Sequence, residues 1–193
     1  MALAAKIPFV SHAEYLAAED LSVEKHEYCH GAVVAMAGGT MLHAKLSINT
    51  TITVASRLAG KRCRPFGEAL RIRISATDLS TYPDLSVICG PIEHDGVDKN
   101  AATNPTALFE VLSPSTAAYD LGEKFDHYAR IPSLKAYVLI DYKRENVVLY
   151  TRGDGETWIR RVHEAGDTVH IAAIDVELPV SEIYAGWEEF RAG

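Results

Sequence analysis

The sequence predicts a mixed α/β domain of the α+β kind, in which helices flank a central group of strands. Three observations predict it. Apolar runs of strand length recur between residues 70 and 150, some of them separated only by a short charged turn. Segments with helical spacing lie before, between and after these runs, without the strict strand–helix alternation of a fully parallel sheet. The 193 residues, 48% hydrophobic and 23% charged, suit one well-packed domain with its core over about residues 11–190.

Taken in order, Ser11 with Glu14 three residues later is a capping-box pattern ahead of a short helix. The stretch HEYCHGAVVAMAGG predicts a hairpin turning near His30-Gly31. Between Thr40 and Ala59, Leu42, Leu46, Ile52, Ala55 and Leu58 recur near helical spacing, and Gly60 is a suitable stop. LRIRIS alternates, which puts Leu70, Ile72 and Ile74 inside and predicts a solvent face for Arg71 and Arg73. YPDLSVICG is a further strand, followed by a polar loop to Pro105 and the strand ALFEVL. A helix should end before Pro132, two apolar strands flank Lys143-Arg144, and TWIRRVHEAGDTVHI reads as a weaker hairpin. A last short helix starts at Ser181.

The formal net charge of -7 argues against a protein that coats nucleic acid without specificity. Cys29, Cys63 and Cys89 are odd in number and far apart, with no CxxC or Cys/His zinc spacing. Neither a disulfide framework nor structural zinc is indicated, and a reducing cytoplasm is the expected location. The eight histidines form no HExxH or comparable pair. The N-terminal tract MALAAKIPFV is too weak for a signal peptide, and no apolar run reaches membrane-spanning length.

Against this ordinary background, Glu110 stands in the middle of a strand with no polar alternation. Burying an ionised carboxylate without a partner costs several kcal/mol, so Glu110 needs a cation, a donor or a proton. Asp84 follows Pro83 at the head of the preceding apolar strand, and Lys124 lies four residues after Asp120 on the following helix. Two carboxylates from adjacent strands can share a hard divalent cation such as Mg²⁺, and a nearby lysine can counter charge on a phosphate. The set would suit metal-assisted hydrolysis of a phosphodiester. Each residue also has a plainer reading: a turn for Asp84, an arginine partner such as Arg71 or Arg73 for Glu110, a solvated face for Lys124.

The blocks YPDLSV, FEVLSPST, YDLGEKFDHYARIPSLKAYVLID and EYCHGAVVAMAGGTMLHAKL together resemble the Uma-two family of restriction endonucleases, within the PD-(D/E)XK nuclease-like superfamily. The resemblance runs from about Ser11 to the final helix, and the order and spacing of its blocks are more specific than a bare PD…E pattern. It implies a restriction-endonuclease-like fold, a central mixed β-sheet flanked by helices. It also implies an Mg²⁺- or Mn²⁺-dependent endonuclease acting on nucleic acid, with DNA the expected substrate, no membrane partner and, by analogy, a homodimer.

Carried over residue by residue, Asp84 and Glu110 match the two acidic metal ligands. The lysine expected two residues after the glutamate is absent, since that position is Leu112, and the match falls on Lys124 instead. Glu27 matches an acidic position that completes such metal sites. His43 matches a family histidine and is assigned to substrate phosphate contact, a contact that Arg73 of the LRIRIS strand could also make. A nuclease fold that binds DNA or protein without cutting is the alternative, because function belongs to the site and not to the fold.

Overall fold

The structure is a computed structural model that describes residues 9–36 and 38–190. The first eight residues of the N-terminal tract therefore lie outside the described residues. Helix α1 (His12–Glu19) opens with the expected capping box, in which Ser11 and Glu14 satisfy each other's backbone N–H groups. Strands β1 (His26–Cys29) and β2 (Ala32–Ala35) form the predicted hairpin, with His30 and Gly31 at positive φ in its turn. Helix α2 (Met41–Leu58) begins at the N-cap Thr40, whose hydroxyl accepts the His43 N–H at 3.1 Å. Its buried side is Leu46, Thr50, Thr53, Val54 and Leu58, whereas Ile52, counted inward by its spacing, is exposed.

Next come β3 (Cys63–Gly67), β4 (Arg71–Ile74), β5 (Leu79–Thr81), β6 (Leu85–Cys89), β7 (Ala101–Ala102) and β8 (Ala107–Val111). The single helix expected before Pro132 is two short ones, α3 (Ala117–Leu121) and α4 (Glu123–Tyr128), divided at Gly122. Strands β9 (Ala136–Ile140), β10 (Asn146–Arg152), β11 (Trp158–Glu164), β12 (Thr168–Ile171) and β13 (Val176–Pro179) follow, then helix α5 (Val180–Ile183). The expected β11–β12 hairpin does not form. β11 pairs with β10 and β12 with β13, each antiparallel.

The large sheet has the order β11-β10-β9-β8-β6-β3 and is mixed, since β8 and β9 run parallel while the remaining pairs are antiparallel. A second sheet has the order β2-β1-β5-β4-β7. Alternation along β8 divides the interior in two. Ala107, Phe109 and Val111 join the core beneath α2, β12, β13 and α5. Leu108 faces the other way, into a core shared with Ile72, Ile74 and Leu79 of the smaller sheet and Tyr128 of α4. A strand covered on both faces explains why the sequence around Glu110 shows no polar alternation.

Two further expectations fail. Arg71 and Arg73 are buried, not solvated. Their side of β4 is covered by aromatic rings: Arg71 lies over Tyr15 and Tyr82, and Arg73 over Tyr28. Arg71 Nε is 2.8 Å from Asp98 and Arg73 Nη2 is 2.5 Å from Asp78, so each buried cation has a carboxylate partner. The second failure concerns sulfur. Cys63 and Cys89 are directly opposite in the β3–β6 ladder and form a disulfide, leaving Cys29 as the free thiol. Among the described residues no helix is long and apolar enough to cross a membrane.

Candidate active site

Glu110 shares the face of β8 that carries Leu108, so its carboxylate enters the core against α4. Lys124 and Tyr128 are four residues apart and present one side of α4 to it. Lys124 Nζ lies 2.9 Å from Glu110 Oε1, and the Tyr128 hydroxyl donates to the same oxygen at 2.7 Å. The side chains of Lys124 and Glu110 are only 7% and 6% exposed, so water contributes little to their neutralisation. Leu112, where the superfamily pattern expects its lysine, is a buried apolar residue of the same core. The ammonium reaches Glu110 from a helix and not from the strand.

Two further carboxylates approach Lys124 Nζ: Glu27 of β1 at 3.4 Å and Asp120 of α3 at 3.5 Å. Glu27 also accepts a hydrogen bond from the Thr81 hydroxyl on the adjacent strand β5. Asp84 sits one residue before β6. The ladder pairs Leu85 with Phe109, so Asp84 stands at the next rung, that of Glu110. Its Oδ2 accepts the Val111 N–H at 2.7 Å and lies 3.2 Å from His43 Nε2 at the start of α2.

The electrostatics follow from burial and crowding. Burial pushes the Glu110 carboxyl up to about 8; Lys124 opposes this, while the charges of Asp84 and Asp120 add to it. Burial alone would lower the Lys124 ammonium, but Glu110, Glu27 and Asp120 outweigh it and hold the group well above its ordinary value. His43 is raised, first by its hydrogen bond to Asp84. Asp120 is raised by burial.

Five of the six residues singled out from the sequence therefore meet at one place: Glu27, His43, Asp84, Glu110 and Lys124. Arg73 does not. It pairs with Asp78, and Arg73 and its rung partner Ser80 occupy the opposite side of the smaller sheet from Ile72 and Thr81, the side that faces Glu27. The plainer reading in which Arg71 or Arg73 neutralises Glu110 also fails, because both arginines are engaged elsewhere. Sequence reasoning missed Tyr128 and Thr81. The i,i+4 spacing of Tyr128 from Lys124 was a usable signal, whereas nothing local distinguishes Thr81.

Among the described residues no group of three His, Cys, Asp or Glu side chains is arranged to hold a metal ion. The donor set still suits a hard cation. Mg²⁺ is commonly held by one or two carboxylates and completed by water and substrate phosphate. Asp84 and Glu110 would supply the two, and the charges of Asp84 and Asp120, which add to the effect of burial on Glu110, are what a cation would relieve.

Residues 12–181 match the Uma2 family, described as "putative restriction endonuclease". The chain belongs to the Uma2 family. A nuclease, as that description has it, is a hydrolase acting on phosphodiester bonds. Among its relatives, the uncharacterized protein slr1290 of Synechocystis sp. PCC 6803 is 36% identical over 182 residues, covering 94% of this chain and 95% of that one. A second uncharacterized protein of that organism, sll1609, is 30% identical over 159 residues, covering 82% and 90%. The crystal structure of a "putative nuclease belonging to DUF820" from Anabaena variabilis ATCC 29413 superposes with a TM-score of 0.74. It is 20% identical and covers 92% of this chain and 98% of that one, a likeness that shows the fold. The mixed sheet flanked by helices that the resemblance implied is thus the architecture of this Uma2 chain.

Proposed function

We propose that this Uma2 chain is a divalent-cation-dependent endonuclease, with Mg²⁺ or Mn²⁺ as the ion and DNA as the substrate. The observation that carries the proposal is the crowding of acidic groups around Glu110. Four carboxylates, Glu27, Asp84, Glu110 and Asp120, gather about one ammonium and one imidazole, those of Lys124 and His43. A divalent cation would supply the missing charge. When bound it would act as a Lewis acid on a phosphate oxygen and make a water more acidic.

In this reading Asp84 and Glu110 offer the carboxylate oxygens that hold the ion, and Glu27 assists directly or through water. Lys124 directs its ammonium toward the negative charge that develops on the scissile phosphate. His43, tied to Asp84, orients that carboxylate and is available to a phosphate oxygen. Arg73 has no part, since Asp78 holds it. A homodimer is proposed with this activity, because two related sites serve the cutting of two strands. A cytoplasmic location is proposed as well; the Cys63–Cys89 bond is the observation that opposes it, since disulfides are rare in reducing compartments.

One observation favours a second reading, a module that binds nucleic acid or protein without cutting: Lys124 already neutralises Glu110 at 2.9 Å. The test is Mg²⁺-dependent cleavage of single- and double-stranded DNA and of RNA. Wild type should cut DNA, Asp84→Asn and Glu110→Gln should abolish cleavage, and both variants should keep their affinity for DNA in Ca²⁺. Binding by wild type with no cleavage of any substrate would select the second reading.

A further inference from the structure

The geometry points to Asp120 as a positioning residue, the carboxylate that keeps Lys124 in the site once a divalent cation has taken Glu110. The inference rests on the nuclease reading above and concerns a residue that reading leaves without a role. Asp120 is on α3, its side chain is 3% exposed, and its Oδ1 is 3.5 Å from Lys124 Nζ. A carboxylate so enclosed has little water to turn to, and its cationic partner is Lys124.

Asp120 and Lys124 are four residues apart, but they do not belong to one continuous helix. α3 ends at Leu121, α4 begins at Glu123, and Gly122 between them has φ -120° and ψ -96°. A break there would let Lys124 and α4 drift from α3 unless something spans it. The Asp120–Lys124 contact spans it, and the Tyr137 hydroxyl fixes the α3 side by donating to the Asp120 carbonyl at 3.1 Å. Asp120 is therefore anchored to β9 of the large sheet while its carboxylate holds the lysine.

The other partners of Lys124 are less suited to this task. Glu110 would be drawn to the ion, and Glu27, 3.4 Å away on β1, is assigned above to assist that ion. With Glu110 diverted, Asp120 is the carboxylate that remains on the same chain segment as the lysine.

The experiment reads the lysine itself and not cleavage. Full-length protein labelled with ¹⁵N-lysine gives an ammonium signal for Lys124 when that group is buried and held, and Lys124→Arg assigns it. Without metal, the signal should persist in wild type, in Asp120→Ala and in Glu110→Leu, and be lost in Glu110→Leu/Asp120→Ala. With Mg²⁺, it should persist in wild type and be lost in Asp120→Ala. Persistence in the double variant, or loss in Glu110→Leu alone, would overturn the role of Asp120. Should the double variant fail to fold, persistence in Asp120→Ala under Mg²⁺ that shifts the wild-type signal would overturn it equally. If Mg²⁺ changes no spectrum, the cation reading of the site fails, and the metal-free comparison still decides Asp120.

Discussion

Lys124 on α4 meets Glu110 on β8 at 2.9 Å, with both side chains closed to water, so each makes the burial of the other tolerable. Removing one partner of a buried pair typically costs about 3–5 kcal/mol, because the other is left uncompensated. Glu110 can take up a proton, since its carboxyl is already pushed up to about 8. Lys124→Met should therefore lose about 3 kcal/mol in urea unfolding of the metal-free protein, at the lower end of that range. A midpoint unchanged from wild type would mean that the pair contributes nothing to stability.

His43 touches Asp84 at 3.2 Å, a contact of the kind that orients a ligand from behind. Losing such a partner commonly costs about 10–100-fold in metal affinity or activity. His43→Ala should fall in that range for Mn²⁺ binding measured by electron paramagnetic resonance, and retain residual cleavage where Asp84→Asn retains none. Equal loss in the two variants would make His43 a ligand in its own right.

The Cys63–Cys89 bond closes a loop with a sequence separation of 26. On the chain-entropy account a loop of that length adds about 3.5 kcal/mol by restricting the unfolded chain. Reduction by dithiothreitol, or Cys63→Ser, should lower the unfolding free energy by that amount. Identical unfolding curves with and without reductant would remove the disulfide from the account of stability.

Much of the site was legible for one reason: Glu110 violates the pattern around it. A carboxylate in a strand covered on both faces demands a partner, and the partner sits among the next charges along the chain. Arg71 and Arg73 show the limit of the same logic. Their alternation with Leu70, Ile72 and Ile74 was real, but a local pattern does not reveal what covers the polar side, here the rings of Tyr15, Tyr28 and Tyr82. The Cys63–Cys89 pair was invisible for a related reason, since it depends on the β3–β6 register and not on spacing. Glu27 and His43 were found only through family resemblance. Nothing near them in the sequence announces that β1 and the first turn of α2 arrive at Glu110.

His12 gives a prediction on pH. It packs against Tyr15 and Tyr28, with Nε2 3.1 Å from Ser80 Oγ, and burial, then the charge of Arg73, lower its pKa from 6.5. The unfolded chain, titrating at 6.5, therefore binds this proton more readily than the folded one. The contribution of His12 to stability is intact above that value and is lost as pH falls through the window below it. His12→Gln should flatten the acid limb of the stability curve, and an NMR titration should put the wild-type imidazole below its ordinary value. A midpoint at or above the ordinary value would contradict this.

The central claim, that Asp84 and Glu110 share a divalent ion, is tested most directly by the anomalous scattering of Mn²⁺ in crystals of the protein. The account predicts a single strong peak with one oxygen of Asp84 and one of Glu110 each at about 2.1 Å, the spacing of a small hard cation. Lys124 should then have left Glu110 and remain against Asp120. A peak elsewhere, or none beside an undisturbed Lys124–Glu110 contact, would contradict it.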